Sequence, residues 1–106
     1  KLNKILMAEI IIKDSAGEVQ AQFNPDVSQS VGTQAQEEGA PVPFSCGVGA
    51  CRTCVAKVEK GAEYLDPEAV GPMHIEVEED EVLTCICGYK DSIPEDAEVL
   101  LVVENL

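Results

Sequence analysis

The residues of this chain best suited to chemistry are its cysteines, of which there are five. Cys46, Cys51 and Cys54 are separated by four and then by two residues, and Cys85 follows after a long gap. Thiolate sulfur is a soft ligand that selects zinc, copper(I) or iron–sulfur clusters. Three close thiols and one distant thiol predict a four-sulfur metal site, which can assemble only when the chain folds.

The spacing of these cysteines favours one kind of site. A C-x₄-C-x₂-C segment with a remote fourth cysteine is the ligand pattern of plant-type [2Fe–2S] clusters. Gly47 and Gly49 lie in the four-residue gap, where glycine lets the backbone approach an inorganic core closely. Successive inward N–H groups form an anion-binding nest, as in many Fe–S sites. We therefore predict that the chain carries single electrons on a [2Fe–2S] cluster, with the ligands Cys46, Cys51, Cys54 and Cys85.

A zinc-binding structural module is the first alternative. Zinc sites usually pair their ligands as two C-x₂-C units, and here only Cys51 and Cys54 form such a unit. An enzyme is a weaker interpretation. Four thiols that all serve as ligands leave no open metal position, and the sequence shows no pair of base and nucleophile. We therefore expect an electron-transfer protein without catalytic residues of its own.

Composition limits the class of protein further. The chain has 106 residues and is 45% hydrophobic, which predicts a single domain, residues 1–106, with one modest aliphatic core. No apolar run reaches the ~18 residues that a membrane helix needs. The cysteines lack a secretory context, which favours metal binding over disulfides. We expect a cytoplasmic monomer, with residues 1–6 before Met7 being an alternative start or a cloning remnant.

The net charge of −13 predicts the kind of partner. Nucleic acids and anionic lipids require positive surfaces, so we expect neither. Opposite charge steers protein partners together at low salt, which favours a basic redox protein such as a reductase or an oxygenase. Acidic residues are the candidates for docking it: Glu37, Glu38, Glu76, Glu78, Glu79, Asp80, Glu81, Glu95, Asp96 and Glu98.

Periodicity predicts an α+β domain in which one main helix packs on a mixed sheet. The helix is expected to begin at Ser28 as N-cap and to end at Gly39, with Val31 and Ala35 facing the sheet and Gln34 facing water. A second helix start is suggested at Asp66. The predicted strands are Ala8–Lys13, Val19–Phe23, Val55–Glu59, Val82–Ile86 (which carries Cys85) and Ala97–Val103.

Several motifs together resemble the plant-type [2Fe–2S] ferredoxin family. They are Pro43-Phe44-Ser45-Cys46, Gly49-Ala50-Cys51, Cys54 with the strand that follows it, and Leu83-Thr84-Cys85. The resemblance runs roughly from Met7 to the end of the chain. It implies a β-grasp fold with a cluster-binding loop, and electron transfer from a reductase to a redox enzyme. It also implies that Cys46 and Cys51 bind one iron, and that Cys54 and Cys85 bind the other.

The loop sequence points to one branch of this family. Gly47 and Arg52-Thr53 resemble the loops of bacterial ferredoxins and of ferredoxin domains fused to oxygenase reductases, rather than chloroplast members. A detached domain of an oxygenase reductase system is therefore a second alternative. The fifth thiol, Cys87, would share a strand face with Cys85 if both were extended. We interpret Cys87 as a small buried hydrophobe, which free cysteine commonly is.

Overall fold

The computed structural model describes residues 8–26, 28–43, 54–71, 75–90, 93–94 and 96–104. Within these ranges the chain forms one α-helix, one short 3₁₀ helix and seven strands. In chain order they are β1 Glu9–Lys13, β2 Val19–Phe23, α1 Val31–Glu37, β3 Val55–Lys60, the 3₁₀ helix Ala62–Tyr64, β4 Leu65–Asp66, β5 Glu81–Leu83, β6 Gly88–Tyr89 and β7 Glu98–Val103.

Five of the strands form one mixed sheet in the order β2-β1-β7-β3-β5. The first and last strands of the sequence, β1 and β7, pair in parallel with Ile10 opposite Val99, whereas the other pairs are antiparallel. Strands β4 and β6 form a separate two-stranded ribbon. The predicted mixed sheet with one helix is thus confirmed, and the predicted strands β1 and β2 pair as neighbours.

The core lies between this sheet and α1, and its large side chains are mostly aliphatic. Along β1 and β7 alternate residues are buried, so that Ile10, Ile12, Val99, Leu101 and Val103 all point into the core. These residues pack in one cluster with the helix residues Val31 and Ala35. Period-two burial is what a strand with one covered face produces. In the part of the chain that is described, no helix is long and apolar enough to span a membrane.

Helix α1 begins later than predicted. Its N-cap is Ser30, whose hydroxyl accepts a hydrogen bond from the Thr33 N–H at 3.1 Å. The prediction of Ser28 was wrong because Asp26 engages that residue: its carboxylate accepts from both the hydroxyl of Ser28, at 2.6 Å, and its N–H, at 2.9 Å. The helix ends as expected, with Gly39 following it at a φ of +102°, a left-handed conformation that glycine adopts without strain.

Two further predictions, on Gln34 and on Asp66, were wrong. Gln34 is buried rather than solvated, because its side-chain oxygen accepts from the hydroxyl of Tyr89 at 2.8 Å and from the N–H of Asp26 at 3.0 Å. Asp66 starts no helix. It ends β4, and its carboxylate accepts from the N–H of Glu68 at 3.1 Å in a turn.

Candidate metal centre

Two of the predicted ligands lie at the same end of the sheet. Cys54 immediately precedes β3, and Cys85 comes two residues after β5. Since β3 and β5 are antiparallel with Val55 opposite Leu83, the start of one strand adjoins the end of the other. Both cysteines are almost inaccessible to solvent, with Cys54 1% and Cys85 4% exposed. The fold thus brings together two residues that are far apart in sequence.

Cys85 lies in a turn, and the predicted strand Val82–Ile86 was wrong at this point. Strand β5 stops at Leu83, whose carbonyl accepts from the N–H groups of Ile86 at 3.1 Å and Cys87 at 2.9 Å. These two bonds fold the backbone back on itself. We call residues 84–87 the ligand turn. Because the turn is not extended, the expectation that Cys85 and Cys87 share one strand face also fails.

The ligand turn is fixed on one side by the segment that carries Cys54. The carbonyl oxygen of Cys54 accepts two hydrogen bonds from Thr84, one from the N–H at 3.2 Å and one from the hydroxyl at 2.8 Å. Thr84 is fully buried. A carbonyl oxygen has two lone pairs, so Thr84 satisfies both.

The turn is fixed on its other side by helix α1. The first N–H groups of a helix have no partner within the helix. Here the N–H of Val31 donates to the carbonyl of Cys87 and the N–H of Gly32 donates to that of Thr84, both at 2.8 Å. The helix therefore binds the ligand turn directly through its backbone, and Ser30 supplies the remaining cap.

Cys46 and Cys51 lie in residues 44–53, outside the described part of the chain, as do Gly47 and Gly49. The approach to that segment is described. The side-chain amide of Gln36 donates to the carbonyl of Val42 at 2.6 Å, and the N–H of Ala40 donates to the carbonyl of Ala35 at 2.9 Å. The residues before this segment are therefore held against α1, and the residue after it, Cys54, immediately precedes β3.

The fifth thiol is a core residue. Cys87 is fully buried, as its interpretation as a small hydrophobe predicts, and its sulfur lies 3.6 Å from the carbonyl oxygen of Gly88. Burial, with a smaller contribution from the charge of Asp66, raises the pKa of Cys87 to about 12. Such a shift is typical of a thiol buried in apolar surroundings.

The described thiols fit an iron–sulfur cluster in chemistry and in burial. Cys54 and Cys85 supply soft sulfur donors on adjoining backbone segments, screened from water. Within the described ranges no group of three or more histidine, cysteine, aspartate or glutamate side chains could hold a metal ion. The described thiols by themselves are therefore not the complete set of predicted ligands, and Cys46 and Cys51 lie outside the described residues.

Comparison with known proteins decides the family. Residues 14–90 match the family described as the 2Fe-2S iron-sulfur cluster binding domain. The chain belongs to this family. Its cofactor is accordingly a [2Fe–2S] cluster rather than zinc, its fold is the β-grasp with one helix on a mixed sheet, and the chain is a [2Fe–2S] electron carrier.

The chain is also similar to two named proteins. It is 34% identical to the phenol hydroxylase P5 protein of Acinetobacter pittii over 74 residues. This match covers 67% of this chain and 20% of that protein. It is 43% identical over 49 residues to Ferredoxin-2 of a Synechococcus strain, covering 46% of each. The chain thus spans less than half the length of these relatives.

A comparison with solved structures supports the fold. Two crystal structures of pectocin M2 match with TM-scores of 0.63 and 0.62, each at 22% identity, covering 90% of this chain and 32% of theirs. At that identity the likeness shows the fold alone. The arrangement of sheet and helix described above is therefore shared with a segment of a larger protein.

Proposed function

We propose that this chain carries one electron at a time from a reductase to an oxygenase, on a cluster ligated by Cys46, Cys51, Cys54 and Cys85. The cluster supplies the ability to accept and release a single electron at low potential. One observation supports the ligand set most strongly: the buried Cys54 and Cys85 lie on adjoining segments of the sheet, in a chain that matches the cluster-binding family. We infer that Cys46 and Cys51 complete the set.

The role of the protein chain is to hold the thiols and to exclude water. Cys54 precedes a strand paired on both sides, β3, and Cys85 lies in the ligand turn held by Thr84 and by the N-terminus of α1. Rigid supports of this kind keep ligand positions nearly unchanged when the charge of the site changes. A small change in geometry favours fast electron transfer without a separate conformational step.

An oxygenase system is the proposed setting. The relative from Acinetobacter pittii is named as a phenol hydroxylase component, and the loop residues Gly47 and Arg52-Thr53 resemble ferredoxin domains of such systems. That relative is much longer than the matched segment. A ferredoxin domain belonging to an oxygenase reductase system therefore stays the second candidate, alongside a separate carrier.

We infer that residues 1–106 form a single ferredoxin domain, because strands from both ends of the sequence, β1 and β7, pair at the centre of one sheet. The cytoplasmic location and the monomeric state predicted from the sequence stay predictions. So does the absence of catalytic residues.

The partner is proposed to be basic. Among the described residues, the acidic side chains Glu76, Glu78, Glu79 and Asp80 are exposed. Asp80 forms an ion pair with Lys57 at 3.8 Å. This acidic segment immediately precedes β5, whereas the ligand turn follows it, so the two lie at opposite ends of that strand. The carbonyl of Asp80 accepts a hydrogen bond from the N–H of Val58, in the middle of β3. Such charges act by long-range attraction, which salt screens over about 8–10 Å.

Stopped-flow reduction of the holoprotein by a basic flavoprotein reductase tests this proposal. We expect the second-order rate constant to fall steeply as ionic strength rises. Two variants change the net charge by the same amount at different places on the surface: Glu79→Lys, near β5, and Glu18→Lys, in the turn after β1. Slowing confined to Glu79→Lys would indicate local docking, and equal slowing would indicate steering by the whole field. A rate that is independent of salt in the wild type would refute a basic partner.

Transfer onward tests the oxygenase role. The reduced holoprotein, mixed with a purified bacterial aromatic-ring hydroxylase, is expected to support product formation, whereas the reductase and hydroxylase alone should not. Efficient reduction without any hydroxylation would refute the proposed oxygenase role, but not the proposal that the chain carries electrons.

A further inference from the structure

Thr84 is the residue through which the segments carrying two proposed ligands contact each other. It is fully buried, and a buried hydroxyl without a partner would be costly. Its hydroxyl bonds the carbonyl of Cys54 at 2.8 Å. Because a carbonyl can only accept, the hydroxyl must donate, and its proton is committed to the backbone of Cys54.

Three backbone segments meet at this residue. The N–H of Thr84 also donates to Cys54, while its carbonyl accepts from Gly32 at the start of α1. Its neighbour Cys85 follows directly in the ligand turn. A change in the position of Thr84 therefore changes the separation between the backbones of Cys54 and Cys85, and the orientation of both relative to the helix.

The hydroxyl adds something that strand pairing does not provide. The β5 strand has ended at Leu83, so the register of β3 with β5 no longer holds the chain at Cys85. Beyond that point, Thr84 bonds the carbonyl of Cys54 twice, through its N–H and through its hydroxyl. The hydroxyl supplies the second bond, and a residue without a side-chain donor could supply only the first.

We propose that Thr84 is a positioning residue, whose hydroxyl sets the distance between the backbones of Cys54 and Cys85 and so tunes the stability and geometry of the cluster they bind. This rests on the proposed ligand roles of Cys54 and Cys85. A threonine at this position could instead be an ordinary satisfied core residue, in which case its loss would lower global stability and nothing else.

Thr84→Val removes the hydroxyl while keeping a similar shape, and Thr84→Ser keeps the hydroxyl while removing the methyl group. Tyr89→Phe is the matched control, because it deletes another buried hydroxyl with a 2.8 Å bond, to Gln34 on α1. For each holoprotein we would measure three quantities: the rate of iron loss to a chelator in native buffer, the visible circular dichroism of the cluster, and the urea midpoint from far-ultraviolet circular dichroism.

With Thr84→Val we expect iron loss to be about fivefold faster, the change expected for one buried hydrogen bond. We also expect an altered visible spectrum. Tyr89→Phe is expected to lower the urea midpoint comparably while leaving the visible spectrum unchanged, and Thr84→Ser should retain the wild-type spectrum. Iron loss and spectrum in Thr84→Val that match those of Tyr89→Phe would overturn the positioning role.

The remaining outcomes are also decisive. If Thr84→Val yields no holoprotein, Thr84→Ser decides: a wild-type spectrum supports the role of the hydroxyl, and an altered spectrum or no cluster refutes it. A wild-type protein without iron refutes the proposed function itself. A wild-type protein with its cluster, beside a Thr84→Val variant of unchanged spectrum and iron loss, refutes only the role of Thr84.

Discussion

Replacement of Cys87 by alanine tests whether this residue is a metal ligand or a buried thiol of the core. Cys87 lies two residues from Cys85, the predicted ligand, so its position in the sequence would allow it to compete for the metal. In the structure the Cys87 side chain is fully buried in the core, with its sulfur 3.6 Å from the Gly88 carbonyl oxygen. We predict that Cys87→Ala keeps its cluster and loses stability.

The expected loss follows from burial. The substitution removes one buried atom of roughly methylene size or larger and leaves a small cavity, which together cost about 1–2 kcal/mol. The contact with Gly88 is long for a hydrogen bond and adds little. For a domain of this size the melting temperature should fall by about 5–10 °C.

Iron content and visible absorption report the cluster, and thermal melting of the holoprotein reports stability. Cys85→Ala is the matched control, which we expect to bind no stable cluster. Full iron content in Cys87→Ala together with a lower melting temperature supports the assignment. Loss of iron from Cys87→Ala would refute it, and so would a normal cluster in Cys85→Ala, which would mean that Cys87 had replaced the missing ligand.

Three further predictions concern the scaffold. Ser30→Ala removes the observed N-cap and should cost about 1 kcal/mol in thermal melts, more than Ser28→Ala; an equal loss would argue against this cap. Gly61→Ala should destabilise more than Gly17→Ala, which costs about 1 kcal/mol: both glycines have φ near +88°, but only at Gly61 would a Cβ meet a backbone oxygen, at 2.6 Å. The pKa of Asp26 should lie below 3.8 because the Ser28 hydroxyl and N–H bond its carboxylate. These bonds therefore stabilise the fold above pH 3.8 and are lost as the pH falls through the folded-state pKa. In a carbon-13 NMR titration Ser28→Ala should move this pKa upward; no movement would contradict the cause.

Local patterns predicted most of the sheet. The alternation in β2 and β7 and the β-branched run of β1 are properties of neighbouring residues, and those strands appear within a residue of the expected bounds. The helix start could not be predicted as well, because Ser28 and Ser30 are equally good caps. The Asp26 carboxylate decides between them, because it accepts from both the hydroxyl and the N–H of Ser28.

Errors arose where distant residues determine the local structure. Gln34 is polar, so periodicity places it in water, yet Tyr89, 55 residues further along the chain, provides its buried partner. Leu83 and Ile86 suggest a continuous strand by composition. The turn between them depends on Thr84 bonding Cys54 and on N–H groups of α1, which no local pattern contains.

The cofactor was readable from cysteine spacing because ligand geometry constrains spacing directly. The contacts that hold those ligands in position could not be predicted in the same way. The Thr84 hydroxyl gave one signal in the sequence, as the sole polar side chain between Val82 and Cys87, but its partner Cys54 lies 30 residues earlier. A polar residue inside an apolar run, next to a predicted ligand, is therefore a candidate positioning residue.

Electron paramagnetic resonance of the purified chain, reduced with dithionite and compared with its measured iron, tests the central claim most directly. A [2Fe–2S] site of four thiolates predicts a signal of about one unpaired spin for every two irons, with one such pair per chain. A chain that contains zinc, that contains no iron, or that gives no such signal on reduction would contradict the claim.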